Sequence, residues 1–470
     1  MTTVHPDSVV EYQGTTYACA TIAPGAPWLG IRGDMHGFIH SGSQALPADS
    51  FTWFPASPHN AALLRRRLPW LNPVPLGLKT SFGFGDRLGL ATPGHIAAVR
   101  GSGIAPLFAQ QSVRENKRTG RTPQEVLDDA MWAILRAGWR DPWGADADHL
   151  KTPEDVPAFT GAGYSFFTVD PGEYVDNAAD HDATDTLQRK AQGLDWEEMQ
   201  PLYLKPAGEQ PWGKFDLPSL LKAVVKYGRA IRHTVHMYHT ILSLKAGAGF
   251  DFEISVDETE APTSPLEHYF IASELKRQGV RLTSLAPRFS GAFEKGVDYI
   301  GDLAALDAEM ADHAAVTAHF GDYKLSLHSG SDKFSVYPLV VKHWGTCVHV
   351  KTAGTSYLEA LRVLARYEPA LFEAIYQYSR QRYAADRLSY HVSARVEMIP
   401  AGLEAAALLD DFHAREVLHV TFGSVLDRFG ADLHAALLDH APAYQDGLAR
   451  HFERHLAPFI PPEEDLSWKA

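Results

Sequence analysis

Three features of the sequence predict an α/β fold, a (β/α)8 barrel of the TIM type. Short apolar or small-residue segments end in polar, Gly-rich turns, which is typical of strands. A helical pattern follows these segments, and strands that alternate with helices favour parallel βα units. Eight such strands can be counted, and eight parallel strands with intervening helices fit a closed barrel better than an open sheet.

The predicted strands lie between residues 81 and 351 of the 470-residue chain. They cover residues 81–88, 106–112, 143–148, 164–169, 250–256, 281–285, 324–328 and 347–351. A helix is predicted from about residue 122 to residue 138, after the second strand, and a well-patterned helix follows the eighth strand.

Three further regions flank or interrupt the barrel, which we place at residues 76–370. Residues 1–75 are rich in Pro, Gly and Trp without clear periodicity, so we expect an irregular N-terminal region. Residues from about 171 to 247 separate the fourth and fifth strands and are expected to form a helical insertion. Residues 371–470 are apolar-periodic, and we expect a helical C-terminal extension packed on the barrel.

The charge balance limits the partners of the protein. Lys and Arg number 43 and Asp and Glu 57, which gives a net charge of −14. This argues against a nucleic-acid binder, which would present a basic face. A sugar or sugar acid remains a suitable partner, since a few local cations suffice to bind an anionic metabolite. The oligomeric state stays open, with a homo-oligomer as one alternative.

Cysteine usage and hydropathy predict a cytoplasmic protein. The two cysteines, Cys19 and Cys347, form no CxxC pair and fit a reducing compartment. The N-terminal residues lack a basic stretch followed by an apolar run, so no signal peptide is predicted. No segment approaches the ~18 apolar residues of a membrane span, and we therefore expect no membrane partner.

The active site of such a barrel lies at the C-terminal ends of its strands, where the alternation of side chains selects the inward residues. On the fifth strand this places Glu253, Ser255 and Asp257 inside the barrel. A buried carboxylate is costly unless it is paired or used. The alternative to a catalytic Glu253 is a structural one, paired with a neighbouring Lys or Arg.

Histidines end the third and seventh strands and face inward on the eighth. His328 is inward at the end of the seventh strand, beside inward His349 and Lys351 on the eighth. On the third strand, Asp148 followed by His149 suits an acid–base residue beside a metal ligand. The alternatives are satisfied core histidines and an aspartate that caps the next helix.

Cations and hydroxyl groups also collect at the strand ends, where they could bind substrate. The residues predicted for that role are Ser112, Arg114, Thr168, Asp170, Arg288, Lys333 and Lys351. Arg favours planar carboxylates and phosphates, which would suit a sugar acid. The alternative is that these cations only balance acids of the site itself.

Several rare strings occur in order along residues 80–390. They are GDRLGLATPGHI, FAQQSVRE, ADADHLKT, SVDETEAPTSPLEHYFIASELKRQGV, SLAPRFSGAFEKGVDYIGDL, LSLHSGSDKFSVYPL and HVKTAGTSYLEALRV. In these strings the chain resembles the tagaturonate epimerase family. The resemblance implies a metal-dependent barrel enzyme that interconverts tagaturonate and fructuronate.

The resemblance also implies roles for individual residues. Asp148 and Glu253 would form the acid–base pair, and His149 and His328 would bind the metal. Two residues at the barrel mouth are open as a further ligand: Glu294 and His349. Oxygen and nitrogen ligands suit a divalent Zn, Mn, Ni, Co or Fe ion.

The chemistry of the reaction favours a retro-aldol route. The epimerised carbon is β to the ketone, so its C–H bond is not acidic. A base, a metal-stabilised enediolate and an acid would suffice. Three alternatives stay open: the neutral ketoses tagatose and fructose as substrates, a metal-dependent aldolase or sugar isomerase, and a non-catalytic sugar-acid binding protein.

Overall fold

Antiparallel strands form the first part of the chain in the computed structural model, which describes residues 2–22, 27–40, 51–204 and 210–460. These strands are β1 (Thr2–Val4), β2 (Val10–Tyr12), β3 (Thr15–Ile22), β4 (Pro27–Arg32) and β5 (Thr52–Pro55). Strand β3 pairs with β1, β2 and β4, and β4 pairs with β5.

This sheet replaces the irregular region that the sequence predicted over residues 1–75. Four consecutive residues of β3 are buried, from Tyr17 to Ala20, so both faces of the strand are covered. A strand covered on both faces shows no alternation of apolar and polar residues. Strands β1, β2 and β5 are only three or four residues long, too short for a period of two to stand out. Residues 1, 23–26 and 41–50 of this region lie outside the described residues.

Eight parallel strands then close into a barrel, which confirms the predicted fold. They are β6 (Ser81–Gly85), β7 (Ala105–Ser112), β8 (Gly144–Leu150), β9 (Phe166–Val169), β10 (Asp251–Ser255), β11 (Ser284–Ala286), β12 (Lys324–Leu327) and β13 (Val348–Thr352). Strand β13 returns to pair with β6, so every strand has two neighbours. Each strand lies where the sequence predicted one, with ends that differ by a few residues.

Helices surround the barrel and build the additions to it. They are α1 (Pro58–Arg67), α2 (Thr92–Val99), α3 (Val113–Thr119), α4 (Pro123–Arg136), α5 (Val156–Ala162), α6 (Thr184–Ala191), α7 (Trp196–Tyr203), α8 (Leu217–Leu244), α9 (Pro265–Arg277), α10 (Leu303–Phe320), α11 (Tyr337–Trp344), α12 (Thr355–Tyr367), α13 (Pro369–Asp386), α14 (Ala405–Leu408), α15 (Phe412–Val420), α16 (Phe422–Asp439) and α17 (Ala441–Leu456). No described helix has the length and hydropathy that a bilayer crossing requires.

The segment between β9 and β10 carries α6, α7 and α8. Asp216 caps the first turn of α8 by accepting from the Ser219 amide, and Pro218 stands in that first turn. One face of α8 is buried throughout its length, from Leu220 to Ile241. Residues 205–209 of this segment lie outside the described residues.

After the last barrel helix, α13 to α17 pack around the barrel. The ring of Phe452 on α17 lies 5.2 Å from that of Phe84 on β6, and Phe459 lies 5.1 Å from Phe82. Between α13 and α14 the chain returns to the C-terminal end of the barrel at residues 390–393. Residues 461–470 of the predicted extension lie outside the described residues.

Candidate active site

The interior of the barrel holds one lysine among three carboxylates. The Nζ atom of Lys351 on β13 lies 2.8 Å from Asp146 Oδ2, 2.7 Å from Asp148 Oδ1 and 2.9 Å from Glu253 Oε1. All four side chains are buried. The hydroxyl group of Thr168 completes the group, 2.9 Å from Asp146 Oδ1 and 3.2 Å from Glu253 Oε1.

The charged groups of this cluster shift one another's pKa values. Burial, opposed by Lys351 and reinforced by Asp148 and Glu253, raises the pKa of Asp146 to about 7. Burial also works to raise the pKa of Asp148, but Lys351 and His149 outweigh it and hold that pKa well below its usual range. The three carboxylates in turn keep the pKa of Lys351 well above its usual value, against the effect of burial. The lysine is therefore a fixed positive charge.

Two histidines and an aspartate meet at the C-terminal end of the barrel. His149, Asp257 and His328 each offer a ligand atom, and these atoms lie within 4.8 Å of one another. Asp257 Oδ1 lies 3.2 Å from His328 Nδ1 and 3.7 Å from His149 Nε2. The buried Nε2 of His149 has no hydrogen-bond partner among the described residues. This donor set fits a divalent transition-metal ion.

A carboxylate stands behind each imidazole of this cluster. Asp148 Oδ1 lies 2.8 Å from His149 Nδ1, and Glu253 Oε1 lies 2.6 Å from His328 Nε2. When His149 Nδ1 and His328 Nε2 carry the protons, the lone pairs of His149 Nε2 and His328 Nδ1 are directed toward Asp257. Carboxylates commonly fix metal-binding histidines in this way. Both histidines are thus oriented to bind a cation.

The backbone at two strand ends takes conformations that non-glycine residues seldom adopt. His149 at the end of β8 has φ 52°, and Ser329, which follows His328, has φ 51°. Residues held in the left-handed region are strained, and such strain collects at functional sites. At His149 the left-handed backbone sets the direction in which the imidazole leaves β8.

A cavity of about 440 Å³ opens above the cluster, with Asp257 and His328 in its wall. Segments that follow the barrel strands contribute most of its lining, including Arg114 at the start of α3, Arg288 and Lys295. The C-terminal extension contributes the rest, from Tyr390 to Ser393. The cavity therefore combines a potential metal site with several cations, in a volume typical of a small-molecule site.

The segment from Tyr390 to Ser393 is held in place on both sides. The Arg118 guanidinium donates to the Tyr390 hydroxyl group, and Arg114 lies 5.2 Å from the centre of the Tyr390 ring. The backbone amide and the hydroxyl group of Ser393 donate to Glu294 Oε2 at 2.8 and 3.0 Å. These contacts make the extension a fixed wall of the cavity.

Comparison with known proteins decides the family. A sequence model described as tagaturonate epimerase matches residues 31–459. The chain belongs to the tagaturonate epimerase family. A Tagaturonate/fructuronate epimerase of Thermotoga maritima is 43% identical over 418 residues, which cover 87% of this chain and 86% of that protein. This confirms the predicted family and the prediction of an isomerase.

Solved structures agree with this membership. The native structure of fructuronate-tagaturonate epimerase from Cohnella laeviribosi is 35% identical, covers 98% of this chain and 96% of its own, and superimposes with a TM-score of 0.91. A glycerol complex of the same protein has a TM-score of 0.90, at 35% identity and coverage of 97% and 96%. Because the match extends over nearly the whole chain, it includes the N-terminal sheet and the C-terminal helices.

Most of the residues predicted for the active site of this epimerase lie together. One group lies inside the barrel and at its C-terminal end: Asp148, His149, Thr168, Glu253, His328 and Lys351. A second group lines the cavity: Arg114, Arg288 and Glu294. Their metal-binding, acid–base and substrate-binding roles stay predictions.

Four predicted residues are engaged elsewhere. Ser112 caps α3 by accepting from the Glu115 amide. Asp170 accepts from the Gly172 amide and pairs with Lys151. Neither residue lines the cavity at the barrel mouth.

The other two are engaged inside the protein. The buried ammonium group of Lys333 donates to the carbonyl oxygens of Glu294 at 2.7 Å and Ser331 at 3.1 Å, so it faces the backbone and not the cavity. His349 Nδ1 lies 2.9 Å from the Ser81 hydroxyl group, and His349 does not join the cluster of His149 and His328. Glu294 does not join it either, since its carboxylate accepts from Ser393.

Sequence reasoning missed three residues. Asp257 completes the cluster of potential metal ligands, although the alternation along the fifth strand had placed it inside the barrel. Asp146 faces Lys351, and its position two residues before Asp148 was the available signal. Lys295 lines the cavity from the loop after β11, where no pattern in the sequence singles it out.

Proposed function

We propose that this protein interconverts tagaturonate and fructuronate as a metal-dependent epimerase, and that the reaction follows a retro-aldol route. The observation that carries the proposal is the cluster of His149, Asp257 and His328 beside a cavity of about 440 Å³. The names of the relatives from Thermotoga maritima and Cohnella laeviribosi support the substrate pair.

The cluster would hold a divalent cation through one nitrogen of each histidine and an oxygen of Asp257. A cation bound there supplies a Lewis acid for a negatively charged oxygen of the substrate. Zn, Mn, Ni, Co and Fe all suit two nitrogens and one oxygen. Asp148 and Glu253 would orient His149 and His328, respectively, through the other ring nitrogen.

The retro-aldol route follows from the position of the carbon that changes. This carbon is β to the ketone, so removal of its hydrogen gives no stabilised anion. A base instead takes the proton of its hydroxyl group, the bond to the neighbouring carbon breaks, and an aldehyde and an enediolate form. Rotation of the aldehyde, re-formation of the bond and return of the proton complete the epimerisation without a net change in atoms or electrons.

We assign the proton transfer to Asp148, which borders the recess between His149 and Lys351. Glu253 is fully buried, and its Oε2 accepts from the Ser284 hydroxyl group while its Oε1 faces His328 and Lys351. It is therefore a positioning residue for these two side chains. The charge of Lys351 would stabilise the enediolate as it forms.

The cations of the cavity favour a sugar acid over a neutral ketose. Arg288 and Lys295 line the cavity, and neither forms an ion pair with a carboxylate of the described residues. An Arg–carboxylate contact is stronger than a contact between neutral groups, so these side chains suit the carboxylate of a hexuronate. We place the acid end of the substrate near them.

The test is product analysis after incubation with tagaturonate, with and without a chelator. We expect fructuronate as the product, loss of activity on chelation, and its return with a divalent transition-metal ion. Three-carbon fragments that accumulate would identify an aldolase. Full activity in metal-free protein would remove the metal from the mechanism, and binding without turnover would identify a binding protein.

A further inference from the structure

Gln110 lies at the end of β7, inside the barrel and next to the proposed reaction site. Its backbone pairs with Asp146 on β8, and its side chain is 1% exposed. It lines a narrow recess with Asp148, His149 and Lys351. No role for this residue followed from the sequence.

The amide of Gln110 is buried without partners. Neither its Oε1 nor its Nε2 has a hydrogen-bond partner among the residues that the structure describes. Buried polar groups without partners lower stability, so they are rare and usually have a functional reason. The amide of the next residue is half satisfied: Gln111 Nε2 donates to the Thr119 hydroxyl group at 3.1 Å, while Gln111 Oε1 has no partner among the described residues.

The barrel wall makes room for this amide. A Cβ atom built on Gly83 of β6 would lie 1.9 Å from Gln110 Oε1, so any larger residue at position 83 would displace the side chain. The glycine thus lets the amide lie flat against the wall of the recess. The missing side chain of Gly83 therefore provides the space that the Gln110 amide occupies beside the proposed metal site.

We propose that the Gln110 amide binds a hydroxyl group of the sugar acid, an inference that rests on the proposed epimerase function. The oxygen of a side-chain amide accepts hydrogen bonds and its NH2 group donates them. An amide can therefore both accept from and donate to a hydroxyl group.

The assignment sets the direction of the substrate in the cavity. Its hydroxyl-bearing end enters the recess that Gln110, Asp148 and Lys351 line. Its carboxylate then points outward to Arg288, which lines the cavity at the mouth and not the recess. Specificity for hydroxyl groups and specificity for the acid would come from different ends of the site.

Gln110→Met tests this assignment, with Gln111→Met as the matched control on the other face of β7. Methionine has a similar length and leaves no unpaired polar atom. We expect Gln110→Met to lower kcat/KM for tagaturonate about 10- to 100-fold while the melting temperature stays the same or rises, because a buried amide without partners is removed. Gln111→Met should keep the wild-type kcat/KM.

Deoxy analogues of the substrate, each lacking one hydroxyl group, identify the group that the amide binds. Wild-type enzyme should discriminate against one of them about 10-fold or more, and Gln110→Met should not. If Gln110→Met stays within twofold of wild type, or loses activity only in step with a lower melting temperature, the assignment is wrong. Gln110→Leu, which also removes the amide, provides the same comparison if the Met variant does not fold.

The outcomes separate this inference from the proposed function. Wild-type turnover of tagaturonate together with an unaffected Gln110→Met variant overturns the role of Gln110 alone. Absence of wild-type turnover overturns both.

Discussion

The ammonium group of Lys351 lies 2.7 Å from the carboxylate of Asp148, across the interior of the barrel from β13 to β8. Most barrels of this type fill their interior with layers of branched apolar side chains. Here Asp146 and Glu253 add two more ionisable groups around the same lysine. Burying charges costs free energy that their mutual attraction only partly offsets, so this layer is built for chemistry at the expense of stability.

Replacing Lys351 should show how much this lysine stabilises the buried carboxylates. We expect Lys351→Met to lower the free energy of unfolding by about 3–5 kcal/mol, because three carboxylates would lose the ammonium group that they share. Urea denaturation at pH 7 measures the change. Adding Asp146→Asn to that variant should restore part of the loss, since one carboxylate is removed. A Lys351→Met variant as stable as wild type would contradict the charge balance described here.

Asp148 and Glu253 should both be needed for turnover, but for different reasons. Asp148→Asn should lower kcat at least ~100-fold, in line with an acid–base contribution. Glu253→Gln should lower kcat about 10- to 100-fold, because it no longer holds His328 and Lys351 in place. Glu253→Gln should also weaken metal binding about 10- to 100-fold, because Glu253 orients His328. Activity measured over a range of metal concentrations separates the two effects. Wild-type kcat in Asp148→Asn would exclude it as the proton-transfer residue.

Metal content should depend on Asp257. Asp257→Asn and His149→Gln each remove a ligand, so we expect both variants to be purified with less than a tenth of the wild-type metal content. Elemental analysis of the purified proteins measures it. Equal metal content in wild type and Asp257→Asn would contradict the assigned ligand set.

A second group of similar residue types provides the control. Asp332, His451 and His455 also lie close together, but their polar atoms are occupied. Arg415 pairs with Asp332 at 2.9 Å, and the Asp332 amide donates to His455 Nε2 at 3.0 Å. We therefore expect one metal ion per chain and an unchanged content in His451→Gln. Two ions per chain would show that this second group also binds metal.

The barrel could be predicted because its strands are short apolar segments, each followed by a recognisable turn and helix. Side-chain alternation then placed Glu253, Asp257 and His328 inside the barrel. The distance from Asp257 to His149 could not be predicted, because these residues come close to each other only when the barrel closes. It also depends on the left-handed backbone at His149, which the sequence does not signal.

The wall formed by the C-terminal extension was also beyond prediction. Residues from Tyr390 to Ser393 form neither helix nor strand, although residues 371–470 were predicted to be helical, and they are far in sequence from the barrel mouth. Their position depends on long-range contacts with Arg118 and Glu294. Such contacts leave no local pattern, so Glu294 was expected to bind metal when it in fact holds this wall.

Arg288 should determine the preference for an acid substrate. We expect Arg288→Met to raise KM for a ketouronate about 10-fold or more, and to raise KM for the matching neutral ketose much less, because only the ketouronate loses a charged contact. Lys295→Met should likewise raise KM for the ketouronate more than KM for the neutral ketose. Equal losses with both substrates would make Arg288 structural. A wild-type preference for the neutral ketose would overturn the binding of a carboxylate at this mouth.

A buried pair of carboxyl groups links the barrel to the extension. Glu416 on α15 is fully buried, and its Oε2 accepts from the Ala394 amide at 3.1 Å. Burial and the neighbouring Glu294 raise the pKa of Glu416 to about 9. At neutral pH this group is therefore protonated in the folded protein and ionised in the unfolded chain, whose carboxyl pKa is about 4.5.

Stability should consequently fall with rising pH between about 4.5 and 9, because the folded state binds one more proton than the unfolded state at this position. The slope for one proton is about −1.4 kcal/mol per pH unit in the free energy of unfolding. Glu416→Gln stays neutral, keeps an acceptor for the Ala394 amide, and should remove this contribution. We expect the variant to gain stability over wild type progressively from pH 5.5 to pH 8.5, as measured by urea denaturation. Parallel curves for the two proteins would show that Glu416 is ionised in the folded state.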